Sequence, residues 1–259
     1  MLLVLDIGNT EITVGLFRGD TLASSWRFTT NPDRTPDEWA TAIRSVLIYE
    51  GHAPTHVRGA CLASVAPAVT QSVVEGVKAA TGCAVAIVDT HTPLPVVLDV
   101  DEPHTVGADR LVNTIAAVEL YHADTVVVDF GTATTFDCIT ADSRFIGGAI
   151  MPGLRTSSDQ LTRKAAKLPA TELAPPTRAI GRRTEECIQA GVLYGAADAV
   201  DGMVRRIRAE WPGGGNPRVI ATGGLARVVV PYTTSIEQVV PDLTLQGLRI
   251  CARLQGLVW

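Results

Sequence analysis

The sequence predicts an α/β protein built as two related halves, each a mixed sheet with helices on its faces. Three observations carry that reading: an internal repeat, an antiparallel opening followed by alternating helix and strand patterns, and a composition rich enough for a large core. The repeat is the most informative, because repetition at fixed register decides architecture before any single motif does. LLVLDIGNT at positions 2–10 and TVVVDFGTATTFDCITADSRFIGGAI at 125–150 share one plan: an apolar strand, D-x-G, small polar residues, a second strand, a tight turn and a third strand. Asp6 and Asp129, Gly8 and Gly131, and the turn residues Gly19 and Asp142 align at a single offset of 123.

The chain has 259 residues, 46% hydrophobic and 19% charged, which suits an ordered globular protein of one large or two small domains. Its net charge of -5 leaves no basic field for a polyanion, so nucleic acid is not an expected partner. Cysteines 61, 83, 138, 187 and 251 are odd in number and lack C-x-x-C spacing; they read as small core residues in a reducing compartment. No basic segment precedes the N-terminal apolar run, which Asp6 interrupts, and Pro67 breaks the longest charge-free stretch, 59–74. Neither a signal peptide nor a membrane span is expected, and the expected location is the cytoplasm.

Alternating patterns at 2–5, 12–17 and 22–28 predict three strands, with Arg18, Gly19 and Asp20 turning the second into the third. TPDE then opens a helix: Thr35 as N-cap, Pro36 at the first helical position and Glu38 closing a capping box, with Trp39, Ile43, Val46 and Leu47 on one face. A strand at 57–63, a helix at 67–80 closed near Gly82, and a strand at 84–88 follow. A loop with three prolines, 89–104, leads to a helix over 107–122. After the second copy of the repeat come a helix at 154–166, a Pro-rich stretch at 169–178 and a long helix from Thr184 toward Trp211. WPGGGNP ends that helix, a strand spans 219–221, TGGLA follows, and a last helix covers 243–257. The domains are expected at 1–115 and 116–259, packed around a cleft.

Strands often end in Asp, Gly or Asn because these residues make turns, and a lone D-x-G says no more than that. Two copies facing a cleft say more. Gly8 and Gly131 let the main chain approach phosphate without a Cβ in the way. A carboxylate repels phosphate, so Asp6 and Asp129 make sense with cations between; Mg²⁺ keeps several waters and needs only one or two protein acids. No G-x-x-x-x-G-K-[ST] occurs, and Lys78, Lys164 and Lys167 are the only lysines, which excludes a P-loop. DFG at 129–131 lacks the companion motifs of protein kinases. His52 and His56 are spaced to share a helix face but have no third ligand nearby. His104, Asp99 and Asp101 read as loop residues, and Arg205, Arg206 and Arg208 as the wet face of a helix.

The segments DIGNT (6–10), GADR (107–110), DFGTATTFD (129–137), GGAIMPG (147–153), GRRTEE (181–186), TGGLA (222–226) and LTLQGL (243–248), taken in order, resemble type III pantothenate kinases of the acetate and sugar kinase/Hsp70/actin superfamily. Each motif is weak alone, but seven in order span nearly the whole chain. The resemblance implies two ribonuclease-H-like domains with mixed sheets flanked by helices, an ATP cleft between them, and ATP-dependent phosphorylation of pantothenate, the first step toward coenzyme A. By motif it implies ATP contacts at Asp6, Ile7, Gly8, Asn9, Thr10, Glu11, Ile12, Thr13 and Thr132, with Gly223 and Gly224 near the adenosine. Asp6 would hold Mg²⁺ through water and Asp129 a monovalent cation, K⁺ or NH₄⁺. Pantothenate would meet Gly107, Ala108, Asp109, Arg110 and Thr184, with Asp109 as proton acceptor; Val100 stands where many members carry a substrate-lining Tyr. The resemblance further implies a homodimer whose substrate pocket is completed at the subunit interface. The alternative is a nucleotide-binding transcriptional accessory protein without kinase activity, as some relatives were first described. An Asp in a first helical turn also has a plain role, complementing the helix dipole by roughly 0.3–1 kcal/mol.

Overall fold

The computed structural model describes residues 1–259. In chain order the elements are β1 (Leu2–Ile7), β2 (Glu11–Arg18), β3 (Thr21–Thr29), α1 (Pro36–Tyr49), β4 (Gly59–Ser64), α2 (Pro67–Thr81), β5 (Ala84–Val88), β6 (Val97–Leu98) and α3 (Ala108–Tyr121). There follow β7 (Thr125–Phe130), β8 (Ala133–Ile139), β9 (Arg144–Pro152), α4 (Leu154–Lys164), α5 (Thr184–Glu210), β10 (Arg218–Thr222), α6 (Ala226–Val229), β11 (Gln238–Val239) and α7 (Leu243–Leu254).

Two compact units result: Met1–Val96 with Val100–Leu120 and Leu243–Trp259, and Val97–Asp99 with Tyr121–Asp242. A single cut near residue 115 therefore misses two returns of the chain. The last helix, α7, belongs with the first sheet, where Leu245 Cδ1 lies 3.0 Å from the position a Cβ on Gly15 would take. The short strand β6 joins the second sheet, pairing in parallel with β9.

The first unit's sheet has the order β3-β2-β1-β4-β5 and the second's the order β11-β10-β7-β8-β9-β6. Apart from the added β6 the two orders correspond: an antiparallel meander beside a pair of parallel strands, as the sequence repeat requires. In the first unit, Trp39, Ile43 and Leu47 of α1 and Val69, Val73 and Val77 of α2 pack on Leu3, Leu5 and Ile7 of β1. In the second, Leu193, Ala197, Val200 and Val204 of α5 pack with Val126, Val128 and Phe136. The capping box forms as expected: Glu38 N–H donates to Thr35 Oγ1 at 3.3 Å, and Thr35 N–H to Glu38 Oε2 at 2.7 Å. Gly82 closes α2 in the left-handed conformation at φ 73°.

The strand register corrects the repeat. Asp6 lies opposite Thr13 and Thr13 opposite Arg27; in the second copy Asp129 lies opposite Thr135 and Thr135 opposite Ile150. The outer strands of the meander keep the offset of 123, but the middle strand is shifted to 122. The turn after β7 lacks a counterpart of Asn9, and the turn after β8 is longer by one residue, with Ser143 at φ 64°. Thr10 thus corresponds to Thr132.

Other differences are local. The last helix stops at Leu254, short of 257, because Gly256 takes φ 74°. Strand β4 begins at Gly59, since Pro54–His56 form a single 3-10 turn before it. That turn also separates His56 from His52, which follows α1, so they share no helix face, and no group of three or more His, Cys, Asp or Glu is placed to hold a metal. Cys61, Cys138 and Cys251 are buried as expected, while Cys187 is exposed on α5. No helix is long and apolar enough to cross a membrane.

Candidate active site

In an open sheet with parallel strands, ligands gather at the strands' carboxyl ends. In the first unit those are the ends of β1 and β4, neighbours in parallel register with Asp6 beside Ala63 and Ile7 beside Ser64. Asp6, the penultimate residue of β1, is partly buried, Ile7 is buried, and Asn9, Thr10 and Glu11 are exposed. The turn closes on itself: Gly8 N–H donates to Glu11 O at 3.0 Å, and a Cβ on Gly8 would stand 2.8 Å from that oxygen. Thr30, just past β3, braces it, its N–H reaching Thr10 O at 3.0 Å and its Oγ1 donating to Gly8 O at 2.7 Å. Ile12 is buried beneath the turn, and Thr13 stands across the ladder from Asp6.

The start of α3 comes to the same edge. Val65, the residue after β4, donates its N–H to Ile7 O at 3.0 Å, and its Cγ1 lies 3.5 Å from where a Cβ on Gly107 would be. GADR is thereby placed beside the end of β1. That missing Cβ also leaves room for Asp109, whose Oδ1 would be 2.5 Å from it. Asp109 Oδ1 accepts Arg110 N–H at 2.8 Å. Burial nevertheless pushes the Asp109 carboxyl above its ordinary value, outweighing the backbone N–H and the guanidinium of Arg110, both of which pull it down. A carboxylate that is partly desolvated and raised has the character of a proton acceptor. Ala108 is buried, Arg110 partly so, and Val100 lies half-buried in the loop before α3.

The second unit repeats the arrangement at the ends of β7 and β10, parallel neighbours with Asp129 beside Thr222. Gly131 N–H donates to Ala133 O at 3.0 Å, Gly153 N–H to Thr132 O at 3.1 Å, and Thr156 Oγ1 to Thr132 O at 2.7 Å. Here a Cβ on Gly131 would be 3.6 Å from Ala133 O, an ordinary contact, so the fold does not demand glycine at this position. Gly223, at φ 91°, lies against Asp129: a Cβ there would clash with Phe130 N at 2.6 Å and would strike Asp129 Oδ1. The TGGLA turn therefore packs on the acid, and Gly224 beside it is exposed. Thr184 is exposed as the first residue of α5. Next to it Glu186 accepts Arg182 N–H at 2.8 Å and Arg183 Nε at 3.1 Å, contacts that hold its carboxyl below the usual range.

Three participants escape a single-offset reading. Thr135 faces Asp129 as Thr13 faces Asp6, and Gly153 and Thr156 hold the second turn as Thr30 holds the first. Aligning the middle strands at 122 would have revealed Thr135. Asp99 proves not to be a free loop residue, since its carboxylate pairs with Arg144 at 2.7 Å on the second sheet.

A model of the type III pantothenate kinase family matches residues 2–206. The chain belongs to that family. A type III pantothenate kinase of Moorella thermoacetica is 42% identical over 250 residues, 96% of this chain and 98% of the relative. Another from Thermomicrobium roseum is 44% identical over 249 residues, covering 96% and 95%. Among solved structures, a Campylobacter jejuni protein described as a Baf family transcriptional activator aligns with TM-score 0.60 at 17% identity, covering 99% of this chain and 100% of that one. The activator of 2-hydroxyisocaproyl-CoA dehydratase from Clostridium difficile, with ADPNP bound, aligns with TM-score 0.56 at 12% identity, covering 100% and 98%. These distant likenesses concern the fold, an actin-like ATPase architecture. A type III pantothenate kinase transfers phosphate from ATP, with a divalent metal, to pantothenate in coenzyme A biosynthesis, and that is the activity of this chain. The accessory-protein alternative draws no support: the Campylobacter jejuni neighbour, at 17% identity, shows the fold alone.

Proposed function

We propose that the two turns and the start of α3 divide the pantothenate kinase reaction among them as follows. Residues 6–13 and Thr132 receive the phosphates of ATP, with Gly223 and Gly224 toward the adenosine. Asp6 holds Mg²⁺ through water, and Asp129 holds a monovalent cation, K⁺ or NH₄⁺. The donor set suits these groups: single carboxylates at the ends of buried strands, with Gly223 so close to Asp129 that a side chain there would displace the acid. When bound, the cations neutralise phosphate charge. Gly107 to Arg110, Thr184 and Val100 meet pantothenate, Arg110 offering its planar donor fork to the substrate carboxylate.

Phosphoryl transfer through a loose transition state asks the protein mainly to position groups and balance charge, with an acid accepting the alcohol proton late. The observation that carries the reading is the placement of the raised Asp109 carboxyl beside the end of β1, reached through Val65. As the new P–O bond forms and the bond from the γ-phosphorus to the oxygen leaving with ADP breaks, Asp109 takes the hydroxyl proton. Gly131 fits the scheme, because its bare Cα serves no internal contact and leaves the turn open to phosphate. The enzyme works as a cytoplasmic homodimer, with the substrate pocket completed by the partner. Coupled measurement of ADP release, with and without pantothenate and in K⁺ against Na⁺, tests this: turnover requires both pantothenate and K⁺. Full-rate release without pantothenate would indicate hydrolysis instead.

A further inference from the structure

We propose that Thr244 of α7, acting through Asn113, is a positioning residue that sets where the Asp109 carboxylate stands; this rests on Asp109 being the proton acceptor. Asn113 follows Asp109 by four residues on α3, so the two side chains lie one turn apart on the same face. Asn113 is 1% exposed, and Thr244 Oγ1 donates to its Oδ1 at 2.8 Å. One turn further along α7, Gly247 meets the α3 backbone so closely that a Cβ would stand 2.7 Å from Val112 Cγ1 and would strike Val112 O. Beyond that, Arg253 pairs with Glu119 at 3.2 Å. The last helix thus meets α3 at the adjacent residues Val112 and Asn113 and again at Glu119, and the Thr244–Asn113 bond lies one turn from Asp109.

Stability alone does not call for that polar contact. Residues 111–117 of α3 are all buried, and apolar burial holds a helix without fixing its rotation or its position along the axis, because it is non-directional. A hydrogen bond is directional and tolerates only a few tenths of an ångström. The backbone approach at Gly247 sets the spacing of the two helices, and the Thr244–Asn113 bond sets the rotation of α3, hence the aim of Asp109. A misplacement of about 1 Å at a reacting group costs up to about 10²-fold in rate.

The test compares kcat and KM in Thr244→Val and Thr244→Ser with the parent enzyme, and repeats Thr244→Val in an Asp109→Asn background. Thr244→Val is expected to lower kcat about 10-fold while KM for ATP stays within about twofold. Thr244→Ser restores the donor and the rate. Because Thr244 acts through Asp109, Thr244→Val slows the Asp109→Asn enzyme no further. A folded Thr244→Val enzyme with parental kcat, an equal loss in Thr244→Ser, or an undiminished loss in the Asp109→Asn background would each overturn the proposal. If Thr244→Val does not accumulate as folded protein, Thr244→Ala is read by the same criteria. A parental rate in Asp109→Asn alone refutes the reading of Asp109, whatever Thr244 does.

Discussion

Asp109 sits where two demands conflict. The fold withdraws its carboxyl from water and so favours the protonated form, while catalysis needs the ionised form. Because the folded-state value is raised, the stabilisation it brings is present in acid and lost as pH rises through that value. The Asp109→Asn variant should therefore unfold at a higher temperature than the parent at pH 8, and the two midpoints should converge as pH falls toward 3.8, the ordinary carboxylate value. In kcat/KM for pantothenate the sign reverses: the acid limb of the parent's profile should lie above 3.8, since protonating Asp109 removes the acceptor. Gly223 makes a second test at this scale. A Gly223→Ala change meets Phe130 N at 2.6 Å with φ at 91°, so it should deform the turn on Asp129 and be read as lost K⁺ activation and lowered thermal stability.

Among elements, the two hairpins hold their turns by equivalent bonds, from Thr30 in one and Gly153 with Thr156 in the other. The brace at Gly153 is tight enough to test: a Cβ there would stand 2.5 Å from both Gly131 O and Thr132 O. Gly153→Ala should push the second turn aside and raise KM for ATP about 10-fold or more, measured by steady-state kinetics. Thr35→Ala is the contrasting case. It removes the capping box of α1, which makes no bond to the turns, and should cost about 1 kcal/mol in denaturant unfolding with kcat unchanged. Elements with their own signals were legible in the sequence: TPDE capped α1, Gly82 closed α2, and the alternating runs became β1 to β3. The two-residue strands β6 and β11 and the single turn of α6 were not, because their pairing is imposed by neighbours rather than by local periodicity.

For the whole molecule, the repeat revealed two copies of one sheet, and it misled by a single residue. A constant offset at Asp, Gly and the distal turn concealed a deletion at Asn9 and a compensating insertion before Arg144, which only strand pairing exposes. The C-terminal helix was legible as a helix but not as part of the first unit, because amphipathicity does not name the sheet it covers. Of the candidate site, Asp6, Gly8, Asp129 and Gly131 could be read from the repeat, whereas Asp109 came from the family resemblance. Its burial and its nearness to β1 needed coordinates. The most direct measurement is the ADP release rate of Asp109→Asn at saturating ATP and pantothenate, with nucleotide binding followed in parallel. The account predicts a fall in kcat of about 10²–10⁴-fold with nucleotide affinity retained; a variant that turns over at the parental rate would contradict it.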